Sequence, residues 1–323
     1  TMQSGKTRHP LPGGHGIVNA QPVKNVSASV KNRILSMARQ SRKPFQSLLT
    51  HYGLERFLFR MSRSPLKEKF VLKGGLLLMG MGLPMARTTR DIDFLGLGSK
   101  DMEAVGASIR EIGRMTFADG LIYEFDRMSI EALAEDTEYP GIRLKFDAWL
   151  GKARIPMQID VGFGDIVIPE AREMTFPTLL DMEPPVVKAY GIETVIAEKF
   201  EASLDLVELN SRMKDFYDIW MLSRTYPLQG LTLQEAIIGT CRRRSTPLNS
   251  REPVFSGEFA ERTDKRAQWK TFLKKSQLPD IPEDFSKIMK DFGEFLRPVI
   301  EASENQRRFE VNWLPGGPWQ PAS

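Results

Sequence analysis

The chain has 323 residues, 41% of them apolar, which gives room for two folded units with an ordinary globular composition. Its single cysteine, Cys241, excludes an internal disulfide framework, and with only three scattered histidines (His9, His15, His51) it excludes the usual zinc sites. A net charge of +4 permits a nucleic-acid partner without demanding one, and no apolar run reaches the roughly 18 residues that span a membrane.

Residues 1–25, with HPLPGGHG, are rich in glycine and proline and predict a flexible lead-in. They lack the apolar core of a secretory leader, which together with the lone cysteine leads to the expectation of a cytoplasmic protein. Residues 26–42 and 44–62 show helical spacing. Ile34, Met37 and Ala38 mark one stripe, and Phe45, Leu48, Leu49, Tyr52 and Leu54 begin another. Arg33, Arg39, Arg42, Lys43, Arg56, Arg60 and Arg63 decorate the pair and are expected on a solvated basic face.

The stretch FVLKGGLLLMGMGLPMARTTRDIDF (70–94) reads as a short strand, a Gly74-Gly75 turn, a short helix and a second strand. Residues two apart on a strand share a face, so Asp91 and Asp93 point one way and Ile92 and Phe94 the other. Paired carboxylates repel, and a hard divalent cation, Mg²⁺ or Mn²⁺, is their usual remedy. The glycine pair lets a ligand approach the backbone beside a helix start, which suits an anion. The combination, Gly-Gly, a spacer from Leu76 to Arg90, then Asp-Ile-Asp, resembles the nucleotidyltransferase pattern. Lys73, Arg87 and Arg90 are candidates for gripping phosphates, with Lys73 and Arg90 favoured because they flank the motifs.

Ser99 is expected to cap a helix running to about Met115, and residues 120–133 carry mixed strand and helix signals. From Gly141 the alternation is clear. Ile142, Leu144, Phe146 and Ala148 share a face, LGKAR turns, and Ile155, Met157, Ile159, Val161 and Phe163 line a second strand of an antiparallel hairpin. Asp160 projects from the other face and is the choice for a third metal carboxylate; Asp147 competes, and Asp165 reads as a turn residue.

PTLLDMEPP (177–185) breaks the pattern, so a domain of residues 26–183 is expected to be followed by a helical one of residues 184–323. Lys199 lies among Val195, Ala202 and Leu206, and the next helix buries Met213, Phe216, Tyr217 and Trp220 with Asp215 and Asp218 at the stripe's edge. Basic segments at 241–245 and 262–275 suit RNA backbone, with Arg242, Arg243, Arg244 and Lys270 as contacts and Trp269 available to stack a base.

KGG…RTTRDIDF, QIDVGFGD, ETVIAEKFEA and NSRMKDFYDIW occur in that order. Over residues 68–225 the chain resembles the AbiEii/AbiGii-type toxin family of nucleotidyltransferases, related to the MenT toxins. The resemblance implies an α+β fold: a polymerase-beta-like transferase domain with a mixed sheet, then a helical C-terminal domain that contributes to the active site. It implies a metal pair at Asp91 and Asp93 with Lys199 and Asp215 completing the site, a cognate antitoxin, and an NTP substrate. The acceptor expected is RNA, most simply a tRNA 3′ end; a protein or small-molecule hydroxyl, or an idle binding module, are the alternatives.

Overall fold

The computed structural model describes residue 1 and residues 25–83, 89–133, 141–205, 212–249, 252–276 and 281–322. The lead-in, apart from residues 1 and 25, lies outside these residues, and so does Arg87. Two helices open the fold, α1 (Val26–Ser41) and α2 (Phe45–Arg63). They are followed by β1 (Phe70–Lys73), α3 (Gly74–Gly80), β2 (Ile92–Gly96) and α4 (Met102–Arg114). Next come the long strands β3 (Leu121–Leu133), β4 (Gly141–Leu150) and β5 (Ala153–Phe163), then the short β6 (Arg172–Thr175) and β7 (Val186–Ala189).

These seven strands form one mixed sheet in the order β3-β4-β5-β2-β1-β7-β6. The hairpin β4–β5 is antiparallel, as the alternation predicts, whereas β2 runs parallel to β5 and β1 antiparallel to β2. Ile92, Phe94, Leu144, Ile155, Ile159 and Val161 are buried on the face that meets α2 and its Tyr52, Phe57 and Leu58. The mixed signals at 120–133 resolve as strand β3, whose register against β4 shifts between Glu124 and Ser129. Asp101, rather than Ser99, caps α4, accepting the N–H of Ala104; Ser99 instead accepts from the N–H of Asp101. Strand β7 lies beyond the 183/184 division drawn from the sequence, yet pairs with β1 inside the sheet.

The remainder is chiefly helical: α5 (Ile192–Asp205), α6 (Met213–Thr225), α7 (Gly230–Arg243), α8 (Gly257–Glu261), α9 (Thr263–Ser276) and α10 (Phe285–Glu304). The amphipathic α10 buries Ile288, Phe292, Phe295 and Val299. The terminal stretch is a packing arm. Strands β8 (Leu228–Gln229), β9 (Val311–Trp313) and β10 (Trp319–Pro321) make a small sheet, and Trp313 and Trp319 close on Phe295.

Two expectations about basic side chains are corrected here. Arg56 and Arg60 are not solvated: they are 3% and 1% exposed and both reach the buried Asp119. Trp269, expected to stack a base, is 0% exposed, stacks on Phe272 and donates its indole N–H to Pro282 O at 3.0 Å. Helical periodicity explains the reversal, because Trp269 and the likewise buried Lys265 lie one turn apart on the inner face of α9.

Candidate active site

Strand register assembles the acids. Asp93 on β2 is directly opposite Asp160 on β5 and, on its other side, opposite Lys73 on β1. Asp91 lies one residue before β2 and two before Asp93, on the same face. One carboxylate oxygen from each of Asp91, Asp93 and Asp160 lies within 4.8 Å of the others. The three acids expected from the sequence therefore converge.

That convergence is electrostatically open. Burial, then the nearby charge of Asp91, pushes the Asp93 carboxyl from the usual 3.8 up to about 6, despite the opposing pull of Lys73. Asp91 accepts the hydroxyl of Thr89. Asp160 is gripped by Arg143, which donates Nε to Oδ1 at 2.8 Å and Nη2 to Oδ2 at 2.7 Å. Carboxylate oxygens clustered without enough counter-charge form the donor set that suits a hard divalent cation such as Mg²⁺ or Mn²⁺, so the residues fit the metal that the resemblance implies.

Gly74 has a specific reason to be glycine. Its φ is +68°, and a Cβ there would sit 1.9 Å from Asp93 Oδ2. It admits the carboxylate of the neighbouring strand as much as any ligand. Gly75 follows, buried, in α3.

The cations around the acids are held in place. Lys73 Nζ lies 2.6 Å from Asp165 Oδ2 and 3.0 Å from Glu198 Oε1. Arg244, at the end of α7, reaches the same acids at 3.1 and 3.6 Å and Glu201 at 2.7 Å. Burial alone would raise the Asp165 carboxyl; Lys73 and Arg244 instead hold it down at about 2. Lys199 on α5 is 2.8 Å from Asp215 Oδ1 and 2.7 Å from Asp218 Oδ2, both on α6. Burial again opposes ionisation of Asp215, and the Lys199 charge outweighs it, leaving the carboxyl below its ordinary range.

The placement of the sequence candidates is thus uneven. Lys73, Lys199 and Asp215 join ionic clusters, while Arg90 is exposed beside Asp91. Of the basic segment at 241–245, Arg243 donates to Gly164 O at 2.8 Å and Arg244 turns onto acids, leaving Arg242 exposed. Asp147, the rejected competitor, pairs with Arg154 at 2.9 Å, away from the three acids. Glu198, Asp218 and Asp165, given no site role by the sequence reading, join these ionic clusters. Their signals were available only in part: Glu198 adjoins Lys199, Asp218 stands one turn from Asp215, and Asp165 passed for a turn residue.

A mixed sheet that brings an Asp-x-Asp beside a third aspartate is the arrangement expected of a nucleotidyltransferase-type protein. The comparison with protein families agrees. A model described as the nucleotidyl transferase AbiEii toxin of type IV toxin–antitoxin systems matches residues 56–297, and the chain belongs to that family. No curated protein sequence matches the chain closely. Among solved structures, it is similar to MenT4, the nucleotidyltransferase toxin Rv2826c of Mycobacterium tuberculosis H37Rv. That match has 14% identity and a TM-score of 0.50 and covers 87% of this chain and 99% of that one. It is also similar to JHP933 of Helicobacter pylori, at 17% identity and a TM-score of 0.48, covering 80% of this chain and 95% of that one. Helical C-terminal part and mixed sheet alike follow the fold expected from the sequence.

Proposed function

We propose that this protein transfers a nucleoside monophosphate from an NTP to an RNA hydroxyl, with the tRNA 3′ end as the acceptor. The observation that carries the reading is the convergence of Asp91, Asp93 and Asp160 within 4.8 Å, with Asp93 raised to about 6 by burial and by the charge of Asp91. Asp91, Asp93 and Asp160 would hold Mg²⁺ or Mn²⁺, which supplies charge neutralisation of the triphosphate and activation of the attacking hydroxyl. Lys199, its ammonium fixed by Asp215 and Asp218, offsets charge that builds on the phosphates in the transition state. Lys73, Gly74, Gly75 and Arg90 form the nucleotide-facing edge beside Asp93. For RNA, Lys270 remains exposed on the outer face of α9, in line with Arg266 and Lys274, and Arg242 is exposed at the end of α7. The family's toxin–antitoxin description supports a cognate antitoxin as partner, and NTP and tRNA as substrates would fit a cytoplasmic reaction. No described helix is long and apolar enough to cross a membrane.

The test is incubation of purified protein with Mg²⁺, each labelled NTP in turn and total tRNA. Label on tRNA with a lengthened 3′ end is expected, and Asp93→Asn should abolish it. Label on protein would transfer the reading to a hydroxyl of another class. No label with any NTP, in Mg²⁺ or Mn²⁺, would sink the enzyme reading.

A further inference from the structure

Arg143 occupies an unusual position among the acids. It lies on β4 directly opposite Asp160, its neighbours Ile142 and Leu144 turn into the core, and its own side chain is 32% exposed. Two of its nitrogens take both oxygens of Asp160, at 2.8 and 2.7 Å, and Gln158 Nε2 adds a third donor to Oδ2 at 3.3 Å. The fork uses one lone pair on each carboxylate oxygen and Gln158 a second on Oδ2, so of about four acceptor sites on Asp160 roughly one is left for a metal ion. Its positive charge also acts on Asp91 across the cluster.

Resting on the reading of the three acids as a metal centre, we propose that Arg143 is a resident counter-cation that closes Asp160 to metal. The free protein then binds one divalent cation, on Asp91 and Asp93, and the second place forms only when Arg143 releases Asp160. The chemistry that draws it away is a phosphate oxygen pair, for which a guanidinium fork is equally matched. Such a pair could come from the NTP or from the RNA backbone. Cation loading is thereby gated by substrate, and Arg143 is a positioning residue for the reaction.

The stoichiometry of Mn²⁺ binding to substrate-free protein, read from the free-ion signal by electron paramagnetic resonance, tests this directly. Wild type should bind one ion, Arg143→Gln two, and Arg143→Gln with Asp160→Asn one again. Arg154→Gln, which breaks the other outward pair on the same two strands, should stay at one. Two ions on wild type, or one on Arg143→Gln, overturns the proposal. Mn²⁺ binding unaffected by Asp93→Asn would instead overturn the metal reading on which it rests. The release step is followed by the Arg143 Nε–H resonance in ¹⁵N-arginine protein, assigned by its loss in Arg143→Lys. It should move on adding either a non-hydrolysable NTP with Mg²⁺ or a single-stranded RNA oligonucleotide, and the arm that moves it identifies the source. A resonance unmoved by both overturns the gating.

Discussion

Two groups of charges in this molecule, one buried and one half-buried, differ in balance. Under α2, Arg60 donates to both oxygens of Asp119 at 2.6 and 3.0 Å and to Met115 O at 2.9 Å. Arg56 adds a contact to Asp119 and one to Glu183 O, and Asp119 also accepts the N–H of Leu121. Glu55 beside them is pushed up to about 7 by burial, so it carries only part of a charge at neutral pH. Arg60 and Asp119 are fully engaged there, and only Glu55 Oε1 accepts no hydrogen bond. At the ends of β2 and β5, Arg143 bonds Asp160 alone of the three carboxylates, and burial together with the charge of Asp91 raises Asp93. A closed balance holds a fold together, and an open one waits for something to bind.

The largest expected effect tests the closed side. Arg60→Met leaves the buried Asp119 with only the longer contact to Arg56 and the Leu121 N–H, which should cost up to about 3–5 kcal/mol in chemical denaturation. Nucleotide transfer per folded molecule should be unchanged. A loss of transfer beyond the loss of folded protein would break the distinction between the two groups.

Lys199 sits between the two cases, because it serves the proposed chemistry yet also satisfies two acids. Lys199→Ala should lower the transfer rate by about 10²–10³-fold. Unlike a simple snorkelling lysine, it should also lower stability, since the Asp218 side chain is 0% exposed and would lose the ammonium 2.7 Å away. Lys199→Arg should restore much of the stability and little of the rate. Full turnover in Lys199→Ala would make Lys199 purely structural.

On the open side, the sign is reversed. The Asp93 carboxyl is raised from 3.8 to about 6 in the folded protein, so between those values the folded state keeps a proton that the unfolded chain has released. Stability of metal-free protein therefore falls as pH rises through that window. Asp93→Asn should remove the penalty, stabilising the metal-free protein at pH 7 by at most about 3 kcal/mol, with no gain at pH 4. Cation affinity should rise as pH climbs through about 6, because the proton competes with the metal. Thermal melts at both pH values decide it, and a destabilised Asp93→Asn at pH 7 would refute the open balance.

What the sequence made legible follows from range. Asp91 and Asp93 were readable because strand alternation is local, and Asp160 because its hairpin is local too. That the two strands lie side by side in register, bringing Asp93 opposite Asp160, belongs to the sheet order, which local alternation does not specify. Arg56 and Arg60 misled because their partner Asp119 is about 60 residues away, and arginine on a helix defaults to solvent. Trp269 misled because an aromatic within a basic run has the same spelling whether its face is buried or bare. Asp165, Glu198 and Arg244 come from three separate elements, and only the tertiary fold brings them onto Lys73.

The smallest effect concerns charges that face outward and so belong to neither group. On α9, Arg266, Lys270 and Lys274 recur every fourth residue and are exposed, while Lys265 and Trp269 fill the inner face. Arg266 is engaged by Glu261 at 3.1 Å, which leaves Lys270 and Lys274 as the cleaner probes. Solvated lysines contribute little to the fold, so the double change Lys270→Glu and Lys274→Glu should leave the melting temperature within a few degrees. If this stripe follows an RNA backbone, each lost phosphate contact should reduce the slope of log affinity against log salt by about 0.7 for a single strand. Binding of tRNA should weaken several-fold at low salt and less at high salt, and NTP binding should stay constant because the acids and Lys199 are untouched. An unchanged salt slope would remove α9 from the RNA path and leave the exposed Arg242 as the remaining candidate.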